Sequence, residues 1–408
     1  MSMGLGLVGC RDDAATPSPR ASKVEPEPQA PPVPLKGLQP VALSPALDSA
    51  TPNLFTTADG QLVLSWVEST GDETAALRLS QRSEAGWSAP VTVVQGALFE
   101  NWADFPAAAA LSDGTLVATW LERAKPGPGY GIRWSRSLDE GLTWSEPQAL
   151  HDHIGGPEYG FVSFASAPND TLAAFWLDGR ESTEHGGQMQ LRTAVLGRTG
   201  PPTERGLVDD RVCDCCQTSA ASTPRGPVVA YRDRALGEIR DIHVAGPHPR
   251  LGEPVYDDGW IIAGCPVNGP SLVSRGDQLI VAWFSAPAEA PRVQVAFGPV
   301  GGAFGAPARV DLGHPVGRVS VVALDASTAI VTFIERTGTT GDAMIIARRV
   351  TAAGVVGPAH AVAATQTARG SGFPRTAVSG DRIVWAWTEL DGEHSQVRVA
   401  EAPAAEVG

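Results

Sequence analysis

Seven aromatic residues, Trp66, Trp120, Trp176, Tyr231, Trp283, Phe333 and Trp387, recur at spacings of 54, 56, 55, 52, 50 and 54 residues, each inside a short aliphatic run. A period of this length marks a repeated sheet unit that must stack on its own copies to bury its faces. The runs follow turn signals, as in Asp59-Gly60 before 62–66 and Asp113-Gly114 before 116–120, which is strand chemistry. Around this strand, B, the rest of the unit repeats. A small-residue strand A precedes it (106–110, 270–273), an alternating strand C follows (132–135, 239–242, 293–296, 397–400), and a Gly-containing turn leads through a Pro into strand D (86–90, 141–147, 252–254, 305–307). The seventh unit stops after strand C near Ala400, and its missing D strand is found at 37–43. The pattern predicts an all-β chain whose residues 37–405 form one seven-bladed β-propeller, closed by an N-terminal strand that leaves no open edge. A tandem of sandwiches would not borrow its last strand from the opposite terminus.

Composition agrees. With 45 Gly and 34 Pro among 408 residues, the chain is too heavily punctuated for a coiled coil or a long helical bundle. A net charge of −14 excludes a non-specific grip on nucleic acid or on an anionic membrane. Beyond residue 10 no apolar run reaches the roughly 18 residues that a membrane-crossing helix needs.

The first ten residues end in Leu7-Val8-Gly9-Cys10, which resembles the lipobox of bacterial lipoproteins. That resemblance implies acylation at Cys10 and a place in the bacterial cell envelope, periplasm or outer membrane. No basic n-region precedes it, so a truncated start is expected. Residues 11–36 are polar and Pro-rich, and are expected to form a disordered, partly polyproline linker.

Ser137-Leu138-Asp139-Glu140-Gly141-Leu142-Thr143-Trp144 resembles the Asp-box, Ser-x-Asp-x-Gly-x-Thr-Trp, of the sialidase-like (BNR repeat) propellers. Physically the motif is a turn brace: the Asp bonds backbone amides, Gly141 permits the tight turn and Trp144 caps the blade. The resemblance implies a sialidase-like propeller, six-bladed in the enzymes themselves, where three arginines clamp a carboxylate beside a Tyr/Glu pair and an Asp acid/base. The Arg-Ile-Pro signature that usually carries the first of those arginines is absent, and the repeat count here is seven. No catalytic residue is assigned. Arg318, Arg369 and the adjacent Glu158-Tyr159 are further candidates for such a site.

Two residues beyond the B aromatic stands an acid in six of seven repeats: Glu68, Glu122, Asp178, Asp233, Glu335 and Glu389, with Ser285 the exception. Period two sets each acid on the side of its aromatic, and the favoured reading is ion pairs and braces. Blades three and four depart by concentrating arginine. Asp178, Arg180, Arg232, Asp233 and Arg234, with Asp104, are the candidate ligand-binding residues at the channel mouth, where D-to-A and B-to-C loops converge.

Cysteine appears after Cys10 only at Cys213, Cys215, Cys216 and Cys265. Both groups fall in D-to-A loops, and the repeat offset of 52 between blades four and five superposes Cys213 on Cys265. Two disulfides are one reading, with the adjacent pair Cys215/Cys216 disfavoured. A thiolate site for Cu or Zn, extended by His151 and His153 and by His314, is the other. The leading functional expectation is an envelope-anchored, monomeric propeller that binds a metal, an anion or a sugar at the channel mouth. It would meet the membrane through its lipid anchor only, and nucleic acid not at all. The alternatives are an exo-sialidase type glycoside hydrolase and a protein-interaction scaffold.

Overall fold

A computed structural model of the chain describes residues 30–43, 45–71, 73–83, 86–123, 129–153, 158–182, 187–246 and 252–408. Cys10, the leader and the linker up to residue 29 lie outside the described residues. The strands form seven sheets, five of four strands and two widened to five. The inner A strands run Ser49–Thr56, Ala107–Ala110, Tyr159–Ala167, Ser219–Thr223, Ser271–Arg275, Pro315–Ala323 and Arg375–Ser379. Each pairs antiparallel with its B strand, so one blade follows the next around a central channel.

The ring closes as its repeat implies. Gln39–Pro40 pairs antiparallel with the last C strand, His394–Pro403, through Gln39 opposite Glu401 and Pro40 opposite Ala400. The linker reading needs correction at its end. Val33–Pro34 pairs in parallel with His360–Gln366 of blade six, and Leu35 is buried among Ile330, Ile345 and Trp385. Pro34 does not prevent this, because an outermost strand needs only some of its donors, here those of Val33 and Leu35. The 239–242 strand also needs correction. Strand C of blade four begins at Ile242, and Ile239 makes only a bridge to Ile261, because Arg240 and Asp241 turn inward to polar partners.

All seven B-strand aromatics are buried. They pack between neighbouring sheets, which accounts for their period: each blade needs one large residue to fill the wedge that opens away from the axis. The turn at 137–144 is tied as its residues suggest. Asp139 accepts from the Thr143 backbone N–H at 2.9 Å and from its hydroxyl at 2.6 Å, and Gly141, at φ +92°, donates to Ser137 Oγ at 2.8 Å.

Candidate functional site

The loop between strand D of blade three (Thr203–Val212) and strand A of blade four carries three of the four cysteines. It is pinned at both ends. The Cys213 N–H donates to the Arg232 carbonyl at 2.9 Å. Gln217 donates to the Ala103 carbonyl at 2.6 Å and accepts from the Gly269 N–H at 2.9 Å, splicing this loop to the one that carries Cys265. Cys213 and Cys216 are buried, Cys215 is half-buried and Cys265 is exposed. The sulfurs of Cys213 and Cys216 are 3.0 Å apart, those of Cys213 and Cys215 4.0 Å, and all three lie within 4.8 Å of one another. Cys265 reaches Cys215 from the neighbouring loop.

Two buried guanidiniums flank these sulfurs, and one of them bonds to Cys213. Arg240 donates to Cys213 Sγ at 3.3 Å and to Glu238 at 2.7 Å. Arg232 is 1% exposed and stacks on Trp260 at 4.8 Å. Its donors go to the carbonyls of Asn268, Arg240 and Phe284, and among the described residues no carboxylate pairs with it. Hydrogen bonding with Cys215 and Cys216 holds the Cys213 thiol well below its usual range, and the Arg232 charge acts in the same direction. Burial pushes Cys216 up, while contact with Cys215 draws Cys265 down. The shifts thus run in opposite directions within the cluster, down at Cys213 and Cys265 and up at Cys215 and Cys216.

The other candidates separate. Arg180 is bound by Asp178 at 2.7 Å and by Asp152 at 2.8 Å, and Asp178 also accepts from Trp176 Nε1 at 2.9 Å. The same aromatic-to-acid bond joins Trp66 to Glu68 at 2.9 Å. Blade five, which lacks the repeated acid, supplies Asp258 to Trp283 at 2.6 Å instead. Arg234 is held by Glu238 and Asp214, and Asp233 lies 3.9 Å from His243. Arg318 donates to the carbonyls of Thr367, Ala368 and Gly372. The expected arginine clamp is thus not assembled: each of these guanidiniums except that of Arg369 is committed to protein partners. Arg369 lies 6.0 Å from the Trp102 ring.

The histidines also stand away from the sulfurs. His151 stacks on Tyr159 at 3.9 Å with Nδ1 2.8 Å from the His153 carbonyl, and His153 Nδ1 meets the Tyr159 hydroxyl at 2.7 Å. The charged groups acting on His151 are Asp178 and Arg180 of blade three and Arg133 of blade two, and among the described residues the one convergent ligand group is Cys213, Cys215 and Cys216. His314 likewise stands apart, its backbone N–H on Glu335. Asp104 is buried, accepting the Phe161 N–H at 2.7 Å, and desolvation pushes it up to about 7. It ties blade two to blade three beside a cavity of only about 20 Å³.

No family model matches the chain, and no curated protein matches it. Solved structures do. A protein of unknown function from Dyadobacter fermentans aligns over 91% of this chain and 99% of its own at 14% identity and a TM-score of 0.52. An α-L-arabinofuranosidase of Fusarium graminearum, in complex with arabinobiose, covers 91% of this chain and 98% of its own at 12% identity and a TM-score of 0.50. An intramolecular trans-sialidase from Ruminococcus gnavus covers 74% and 94% at 11% identity and a TM-score of 0.47. What is shared is the fold.

Sequence reading missed Arg240 and Glu238, because Ile239-Arg240-Asp241-Ile242 has the alternation of a strand. The available signal was the length of the segment between strands B and C of blade four, which leaves room for a loop.

Proposed function

We propose that this propeller binds one soft metal ion, Cu or Zn, through the thiolates of Cys213, Cys215, Cys216 and Cys265. The observation that carries the reading is three converging sulfurs with two buried guanidiniums beside them, Arg240 donating to Cys213 Sγ and Arg232 acting on Cys213 through its charge, with Glu238 the only carboxylate among the described residues bound to either. A buried cation requires a counter-charge, which thiolates supply and disulfide sulfur does not. Four sulfur ligands suit Zn²⁺ or Cu(I). The disulfide alternative would join Cys213 to Cys216 and Cys215 to Cys265, and it would leave Arg232 with carbonyls alone. The occupied donors of Arg180, Arg232 and Arg234 speak against a sugar-acid clamp in this sector.

Metal analysis and thiol counting on protein purified without oxygen test the reading. One metal ion per chain is expected, with four thiols that become reactive only after a chelator is added. Metal-free protein with no reactive thiols would overturn it in favour of the disulfides. Turnover of a chromogenic sialoside or arabinofuranoside would restore the hydrolase alternative.

A further inference from the structure

One position on each inner strand lies opposite the residue just before the B-strand aromatic. Around the ring these residues are Asn53, Ala107, Ser163, Ser219, Ser271, Ser320 and Arg375. All seven line the central channel, a space of about 430 Å³. Six are small or neutral, and the seventh is a guanidinium.

Arg375 lies over the Phe105 ring at 4.7 Å, and its buried Nε has no partner. Among the described residues it makes no hydrogen bond and no ion pair. Burial without a counter-charge pushes it down to about 10. The serines at the same level of the channel have donors to spare. Ser219, Ser271 and Ser320 accept the N–H of Leu272, Val321 and Thr376 on the next blade, at 2.9, 3.0 and 3.1 Å. An oxygen that accepts in this way turns its own hydrogen elsewhere, and no described group receives those three hydrogens. The chain has 45 acidic residues, yet among the described residues none lines the channel, whose charged lining is Arg375 and, at the far end, Arg275. A low-dielectric tube with one sign of charge concentrates the opposite sign.

We infer that the central channel binds a small oxyanion, of the size and chemistry of phosphate, sulfate or a carboxylate, between the Arg375 guanidinium and the serine hydroxyls of blades four to six. A guanidinium fork matches two oxygens of such a group. The anion enters from the mouth opposite the cysteines, because Phe105, Phe373 and Trp102 pack together on the cysteine side. The site needs no metal and is separate from the sulfur cluster.

Calorimetric titration of the full chain with phosphate, sulfate and acetate at constant ionic strength tests this. One site per chain is expected for at least one of the three, with a melting temperature that rises with its concentration, and the arms identify the preferred geometry. Arg375→Gln should weaken binding by more than 10-fold and remove the anion-dependent rise. Should that variant fail to fold, Ser271→Ala is read instead, with a loss of several-fold expected. Wild-type protein indifferent to all three anions beyond a chloride control, or either folded variant binding as the wild type does, overturns the inference.

Discussion

Blades three and four carry the same strand ending, an aromatic followed by charged residues, and solve it in opposite ways. In blade three the charges close on themselves: Trp176 donates to Asp178, Asp178 holds Arg180, and Arg180 reaches out to the half-exposed Asp152. In blade four Arg232 comes three residues earlier relative to its aromatic, points into the protein and finds carbonyls and an indole face, with its charge acting on Cys213. A closed ion pair braces a blade and asks for nothing more. A buried cation beside thiols leaves a charge that something else must balance, and that imbalance separates a candidate site from its scaffold.

Four measurements bear on this contrast. The largest effect is expected at Arg232→Met, which strands three carbonyls and removes the positive charge beside the sulfurs. Urea unfolding should show a loss of about 3–5 kcal/mol, and a loss below about 1 kcal/mol would mean that the buried charge is not integral to blade four. Next is Asp104, which ties blade three to its neighbour. Its pKa is about 7 in the folded protein and about 4 in an unfolded chain, so between those values only the folded state keeps the proton. Stability should therefore fall as pH rises from about 4 to about 7, by up to about 4 kcal/mol from this group. Glu335, pushed up by burial to about 7, adds to the same slope. Asp104→Asn should flatten the slope measured by chemical denaturation, and an unchanged slope would remove Asp104 as its source.

Third, Cys216→Ser should weaken metal binding by roughly 100-fold, equivalent to about 2.7 kcal/mol, with the circular dichroism of the sheets unaltered. Equal affinity in competition with a chelator would detach Cys216 from the site. The smallest effect is expected at Asp152→Asn, an exposed partner worth less than about 1 kcal/mol. A greater loss in thermal melting would show that the blade-three pair is not self-contained.

Most of the fold was legible because a propeller repeats its physics: one aromatic wedge, one turn and one small-residue strand per blade, seven times over. The closing strand was visible as the D strand missing from the far end. The convergence of the cysteines followed from the 52-residue offset that superposes Cys213 on Cys265. What could not be read was where each charge finds its partner. Arg180 and Arg232 both follow the B-strand aromatic of neighbouring repeats within four residues, yet one meets a carboxylate of its own blade and the other meets carbonyls from the next blade. His151 and His153 suggested ligands by type, but stacking on Tyr159 keeps them with blade three. Arg375 was hidden because its significance lies in the register that sets it level with serines up to about 210 residues away in the chain.

The N-terminal seam also defines a load path. Tension applied upstream of Val33 would fall first on a two-residue parallel pairing against blade six, and only then on the two-residue strand that completes blade seven. Short pairings of this kind give way in succession, so the ring would unzip at a single line under pull. The sulfur cluster, half a circuit away on blades four and five, would be shielded until that line had opened.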